Sequence, residues 1–258
     1  MSLLLPRRRF LKTAFIGAGG LLLTGCDRVV GNGSVDYVLR MAEAITMGTQ
    51  RALLSDKSLA REFTEADLSP VFRSNGTSMP TSDEYAALEE SKFATWKLVI
   101  DGKVRQPLSL SLEDLKRLPS RTQITRHDCV EGWSAIGKWT GVPLGLLLQT
   151  AGVSTDARYA VFHCADDLEE SEDGSGIYYE SIDLIDAYHP QTILAYSLNG
   201  QPLPVENGAP LRLRVEEHLG YKQAKYIMRI ELVDSFAAIG QGHGGYWEDR
   251  GYDWYAGI

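Results

Sequence analysis

One thiol stands where chemistry could be done. In His127-Asp128-Cys129-Val130-Glu131-Gly132-Trp133-Ser134 a single cysteine is set among polar, turn-forming and aromatic residues. A thiolate there could ligate a soft metal, or act as a nucleophile if a histidine activates it. It could equally be a plain buried thiol, because free cysteine packs well as a small hydrophobe. The other cysteines are Cys26 and Cys164, and no CxxC or CxxCH occurs, so zinc ribbons, thioredoxin-type exchange and covalently attached haem lack their signatures. A Cys129–Cys164 disulfide is the competing structural reading. His127, His163, His189 and His218 show no paired spacing for zinc, and only His127 is close enough in sequence to tune Cys129. Gly240-Gln241-Gly242-His243-Gly244-Gly245 fits GxGxxG, but 13 residues follow it, too few for the helix and second strand of a dinucleotide site.

Three blocks taken together say more than any one. Cys129-Val130-Glu131-Gly132-Trp133-Ser134 is followed by Trp139 and Gly141-Val142-Pro143-Leu144. Downstream come Asn199-Gly200-Gln201-Pro202-Leu203-Pro204 with Asn207-Gly208-Ala209-Pro210-Leu211-Arg212, and then Gly220-Tyr221-Lys222-Gln223-Ala224-Lys225. In order and spacing this resembles the molybdopterin oxidoreductases of the sulfite oxidase fold, especially the periplasmic methionine-sulfoxide-reductase type, over roughly residues 70 to 234. The resemblance implies a molybdenum-molybdopterin cofactor whose metal is bound by Cys129. It implies cofactor contacts from Asn207, Arg212, Lys222, Gln223, Ala224 and Lys225, and from Arg73 and Asn75 in an upstream turn. Cys164 stands where the family has a cofactor-contacting Thr, a departure from the pattern. Tyr178 aligns with the active-site tyrosine of sulfite oxidases, and its neighbour Tyr179 is the alternative match.

The physical chemistry is compatible. A soft thiolate suits the metal, and binding deprotonates it. A pterin phosphate needs cationic and backbone donors. Taken without the family, Arg212 reads as a solvated strand face and the lysines as a solvated loop. The implied activity is oxygen-atom transfer to or from a small or protein-bound sulfur compound, with sulfoxide reduction favoured and sulfite dehydrogenation the alternative. Electrons would pass to or from a separate haem- or quinone-linked protein. Two other classes stay open: a cofactor-free binding lipoprotein and a cysteine-dependent hydrolase. The family's dimerisation domain is not expected here, which argues for a monomer.

Composition bounds these readings. The chain has 258 residues, with 26 Lys and Arg against 34 Asp and Glu, so its formal net charge of −8 makes a chain-wide grip on nucleic acid improbable. The first 25 residues hold Arg7, Arg8, Arg9 and Lys12 and no acid, followed by a short apolar run from Ala14 to Leu23. This reads as a signal peptide. Arg7-Arg8-Arg9-Phe10-Leu11-Lys12 resembles a twin-arginine export signal and Leu23-Thr24-Gly25-Cys26 a lipobox, so the expected protein is periplasmic, lipid-anchored through Cys26 and held at the inner membrane.

The elements that must position these residues read as one α+β domain rich in β, mixed sheets with short connecting helices, over residues 70–258. A helical segment over 26–69 precedes it, with apolar spacing at Val35, Val38, Leu39, Ala42, Ile45 and Leu53. Trp96–Ile100 reads as a strand turning at Asp101-Gly102, and Asn199-Gly200 as a second hairpin turn. Ser111 caps a short helix, and Thr140–Gly152 reads as another with Pro143 in its first turn. Leu211, Leu213 and Val215 alternate with Arg212, Arg214 and Glu216, predicting a strand with one charged face. The aromatic tail, 246–255, is expected to pack on the domain and rim its pocket, with His243 and Arg250 as candidates there.

Overall fold

The computed structural model describes residues 33–53, 58–170 and 174–258; the Arg7–Lys12 block and Cys26 lie outside them. The chain divides into two compact units, Met1–Gln50 and Arg51–Ile258. Helix α1, Gly33–Leu53, accounts for the predicted helical spacing. The helix does not extend to residue 69. Residues from 58 onward run along the second unit instead, where the Phe63 amide donates to the Ile124 carbonyl at 2.8 Å and the Ile136 amide to Ser69 Oγ at 2.9 Å. No helix among the described residues is long and apolar enough to cross a membrane.

Two five-stranded sheets build the second unit. The first has the order β2-β1-β10-β5-β6, from β1 (Lys97–Gly102), β2 (Leu108–Ser111), β5 (Tyr159–Asp167), β6 (Ile177–Asp183) and β10 (Ile227–Val233). Only β1 and β10 pair in parallel. The second runs β3-β4-β7-β8, from β3 (Arg121–Cys129), β4 (Trp133–Pro143), β7 (Ile193–Leu198) and β8 (Gln201–Pro202), with β9 (Arg212–Arg214) also on β7. Besides α1, the described residues form four short α-helices: α2 (Asp83–Glu90), α3 (Leu112–Arg117), α4 (Leu144–Ala151) and α5 (Leu184–Ala187). The architecture is α+β and β-rich, as expected.

The main core joins Leu98 and Ile100 of β1, Val161 and Phe162 of β5 and Ile230 and Leu232 of β10 to Leu144, Leu147 and Leu148 of α4. A second core packs Phe72, Trp139, Ile193, Ala195 and Leu198 under the other sheet.

Local chemistry explains most boundaries. Ser111 caps α3 reciprocally with Asp114, and Asn199 and Gly200, at φ of 52° and 78°, turn β7 into β8. Two expectations change. Asp101-Gly102 is not a turn: both residues pair with Glu231 and Leu232 of β10, and β2 is reached through a longer loop. Thr140–Pro143 is not helical, because these residues complete β4 against β7 and the helix starts only at Leu144. Strand pairing claims Thr140–Pro143, while Pro143 and Gly152 do bound the helix, as its N-cap and its left-handed C-cap.

Gly141 sits where the β4–β7 register shifts. A Cβ there would lie 2.1 Å from the Leu194 carbonyl oxygen and 2.6 Å from the Ala195 Cα, both backbone atoms of the neighbouring strand. Gly141→Ala is therefore expected to cost about 2 kcal/mol and to lower Tm by about 5 °C, measurable by thermal unfolding followed by circular dichroism.

Candidate active site

A cleft of about 220 Å³ opens between the ends of the two sheets. Cys129 closes β3 at one wall, Asp166 and Tyr178 come from β5 and β6, and Asn75, Gly76 and Thr77 form an upstream loop. Gln223 and Lys225 follow the 3-10 turn Gly220–Lys222, and Trp247 and Tyr252 come from the tail. Cys129 is half-buried and unpaired, and so is the buried Cys164, which removes the disulfide reading. Burial pushes the Cys129 thiol up, so it needs a metal or a nearby cation to become a thiolate. Glu131 ties the thiol's turn to the upstream loop. It accepts from the Gly76 amide at 3.1 Å and from Trp133 Nε1 at 3.0 Å, and these two bonds, the indole first, lower its pKa.

Arg212 and Arg214 are two apart on β9 and so share a side, but that side is not solvated as the sequence suggested. Both guanidiniums are fully buried over the Trp139 ring, at 5.4 and 4.4 Å from its centroid. Arg214 is neutralised by Glu216 at 3.0 and 2.6 Å and donates to His127 Nδ1 at 3.1 Å. Burial, followed by Arg212 and Arg214, holds His127 well below the usual imidazole range. It is therefore neutral, with its proton on Nε2.

Arg212 has no carboxylate partner among the described residues. It donates to the Asn207 carbonyl at 3.1 Å and to Asn75 Oδ1 at 3.0 Å, while its Nε is buried without a partner. Burial and then Arg214 push its pKa down to about 9. Asn207 Nδ2 and Gln223 Oε1 are likewise buried and unpartnered.

The three loop residues at 222, 224 and 225 separate in role. Lys222 is buried between Glu180 and Glu248, the latter at 2.6 Å, and is not among the residues lining the cleft. Its charge is consumed by the fold. Lys225 meets only neutral oxygens: the Thr77 carbonyl, the Glu206 carbonyl at 3.2 Å and the Tyr226 hydroxyl at 3.5 Å. Burial and then Arg212 lower it to about 7. Gly208, at φ 111°, permits this approach, since a Cβ would lie 2.8 Å from Lys225 Cβ. Ala224 is buried in the main core, and its carbonyl accepts from the Leu213 amide at 2.8 Å.

Arg73 is exposed and stands off the cleft lining, and Cys164 packs in the core behind it. Of the paired tyrosines, Tyr178 lines the cleft, its hydroxyl donating to the Tyr221 carbonyl; Tyr179 bonds Asp249 of the tail instead. The tail does rim the cleft, but through Trp247 and Tyr252, stacked at 5.3 Å. Arg250 is turned away onto Glu169 at 3.0 Å and the Tyr246 ring, and His243 also stays off the lining. Sequence reasoning passed over Asp166 and Glu131. Glu131 could have been found as part of the cysteine block; Asp166 shows only as the last of the buried alternate positions 162, 164 and 166 on β5.

No group of three or more His, Cys, Asp or Glu among the described residues is arranged so that it could hold a metal ion. A metal at Cys129 would thus have one protein sulfur and need its other ligands from a cofactor. Two buried cations with no carboxylate in hydrogen-bonding contact, Lys225 having Asp166 and Glu131 only as more distant charges, and three unpartnered polar atoms fit an anionic, hydrogen-bonding cofactor such as molybdopterin.

Comparison with known proteins agrees. The oxidoreductase molybdopterin binding domain family matches residues 85–238. A protein of Azospira oryzae, provisionally named protein-methionine-sulfoxide reductase subunit YedZ1, is 39% identical over 97% of this chain and 87% of its own length. The protein-methionine-sulfoxide reductase catalytic subunit MsrP of Xanthomonas axonopodis is 38% identical over 59% of this chain. The match covers 49% of that protein, so this chain spans about half the length of its MsrP relative. The sulfane dehydrogenase SoxCD structure from Paracoccus pantotrophus aligns with TM-score 0.48 and 26% identity over 54% of this chain and 38% of that one.

The two kinds of buried cation make opposite predictions. Lys222→Met strands Glu180 and Glu248 and is expected to destabilise the fold by about 3–5 kcal/mol. Arg212→Met should leave Tm of the cofactor-free protein within about 5 °C of the parent, having no carboxylate to strand, while molybdenum retention is lost. Thermal unfolding and elemental analysis of both variants read the difference.

Proposed function

This chain belongs to the molybdopterin-binding oxidoreductases, and on that premise we propose that its cleft reduces sulfoxides, free or carried on methionine side chains of proteins. The observation that carries the reading is the pair Arg212 and Lys225: both are buried, both act electrostatically on Cys129, and neither has a carboxylate in hydrogen-bonding contact, with Lys225 on the cleft lining and Arg212, like Asn207, just behind it. The names of the relatives support the substrate class.

When bound, molybdopterin supplies the two-electron centre for oxygen-atom transfer. The chain's residues do the rest. Cys129 would hold the metal, while Arg212, Lys225, Asn75, Asn207 and Gln223 would hold the pterin and its phosphate. Glu131, kept ionised by two N–H donors, fixes the upstream loop against the thiol's turn. Trp247 and Tyr252 offer a polarizable aromatic rim on which a thioether or sulfoxide side chain packs favourably. The two electrons come from a separate haem- or quinone-linked protein. The leader resemblances make export and a lipid anchor at Cys26 part of the same proposal, with the electron-transfer partner in the membrane.

Protein purified from its native envelope is expected to carry stoichiometric molybdenum and to oxidise a reduced viologen with methionine sulfoxide. Cys129→Ser should lose turnover, with sulfite oxidation weak or undetectable in the parent. Elemental analysis beside a dye-linked assay checks this, and a metal-free native protein or a preference for sulfite would contradict it.

A further inference from the structure

Reducing a sulfoxide breaks the S–O bond. Sulfur gains two electrons, delivered singly by the haem- or quinone-linked donor, and the oxygen leaves as water with two protons. Those protons have to reach the reacting oxygen inside the cleft. Few of its side chains can supply one.

Glu131 is occupied by two N–H donors and held ionised. The Tyr178 hydroxyl proton is committed to the Tyr221 carbonyl, and burial raises that phenol well above its usual range. Tyr221 donates to the Asp253 carbonyl at 2.7 Å. Lys225 donates to carbonyls and is suited to the phosphate. Cys129 is the metal's ligand in this reading. Tyr252 stands at the exposed mouth.

Asp166 differs from all of these. It lines the cleft, is 4% exposed, and its Oδ1 has no hydrogen-bond partner. Building on the sulfoxide reading above, we propose that Asp166 is the proton donor of the cleft, passing the proton on its carboxyl to the departing sulfoxide oxygen and being reprotonated from solvent through the cleft mouth.

Its surroundings suit an acid. Burial raises the Asp166 carboxyl to about 6, against the opposing effects of Lys225 and the Thr77 hydroxyl. Asp167 on its own strand raises it further. The other titratable groups facing it are Cys164 on the same strand, Tyr178 on β6, Tyr85 on α2 and Tyr226 beside Lys225. All four are neutral near pH 6, so Lys225 is the one cation set against it. A bound anionic cofactor draws on Lys225 and adds negative charge, and both effects favour the protonated carboxyl. The sign follows: the donor is loaded below its pKa and is lost as pH rises through it.

The test compares molybdenum-loaded parent, Asp166→Asn and Asp166→Glu. Infrared difference spectra are expected to show a protonated carboxyl band in the parent that titrates at about 6 or above and is missing from Asp166→Asn. With reduced viologen and methionine sulfoxide, kcat/KM of the parent should fall as pH rises through that midpoint. Asp166→Asn should be slower by about 10²–10⁴-fold and lose this limb, with unchanged molybdenum content, whereas Asp166→Glu keeps the limb. A parent without the band, an Asp166→Asn enzyme that retains rate and limb, or one that loses molybdenum would overturn the assignment. A parent with the band but no sulfoxide turnover would support the acid and overturn the substrate reading instead.

Discussion

The structure turns on two positive charges that the fold buries without a carboxylate in hydrogen-bonding contact. Arg212 and Lys225 face carbonyls, an amide oxygen and an aromatic ring, where other buried cations of this protein face carboxylates. Arg214, two residues from Arg212, has Glu216, and Lys222, three residues before Lys225, has Glu180 and Glu248. A charge left alone in a protein interior costs several kcal/mol. The arrangement is stable in use only if something anionic completes it. Around these charges Trp139 lies beneath the guanidiniums, Asn75 and Asn207 turn oxygens toward Arg212, and glycine at 208 leaves room for Lys225.

The two sheets hold these groups rigidly. β9 fixes Arg212 against β7, β3 carries Cys129 to the cleft, and β5 and β6 bring Asp166 and Tyr178 to the opposite wall. Loops supply the remaining contacts but are themselves tied down: Ser74 to the Glu206 carbonyl at 2.6 Å, Gly76 to Glu131, and the tail to β6 through the Tyr246 amide and the Tyr179 carbonyl at 2.9 Å. Such preorganisation lets donors act on developing charge without first being reoriented.

Much of this was legible in the sequence, unevenly. Turn and cap chemistry is local, so Asn199-Gly200 and Ser111 could be read directly. Asp101-Gly102 and Thr140–Pro143 misled because long-range strand pairing outweighed equally local signals. Alternation located the strand around Arg212 but gave the wrong environment for its polar face: period two separates two faces and does not say that both are buried. The motif resemblance pointed to Lys222 and Lys225 alike. Only three-dimensional partners distinguish them, since the acids that consume Lys222, at positions 180 and 248, are distant in the chain. Asp166 carries no local signal beyond ending a buried strand.

The most direct test of the central claim is the titration of Lys225 Nζ by heteronuclear NMR, in cofactor-free protein and again after molybdopterin is restored. The account predicts an ammonium that titrates at about 7 in the cofactor-free protein and moves upward when the anionic cofactor binds, because opposite charge favours the charged form. An ordinary lysine value in the cofactor-free protein, or a value that does not move on loading, would contradict it.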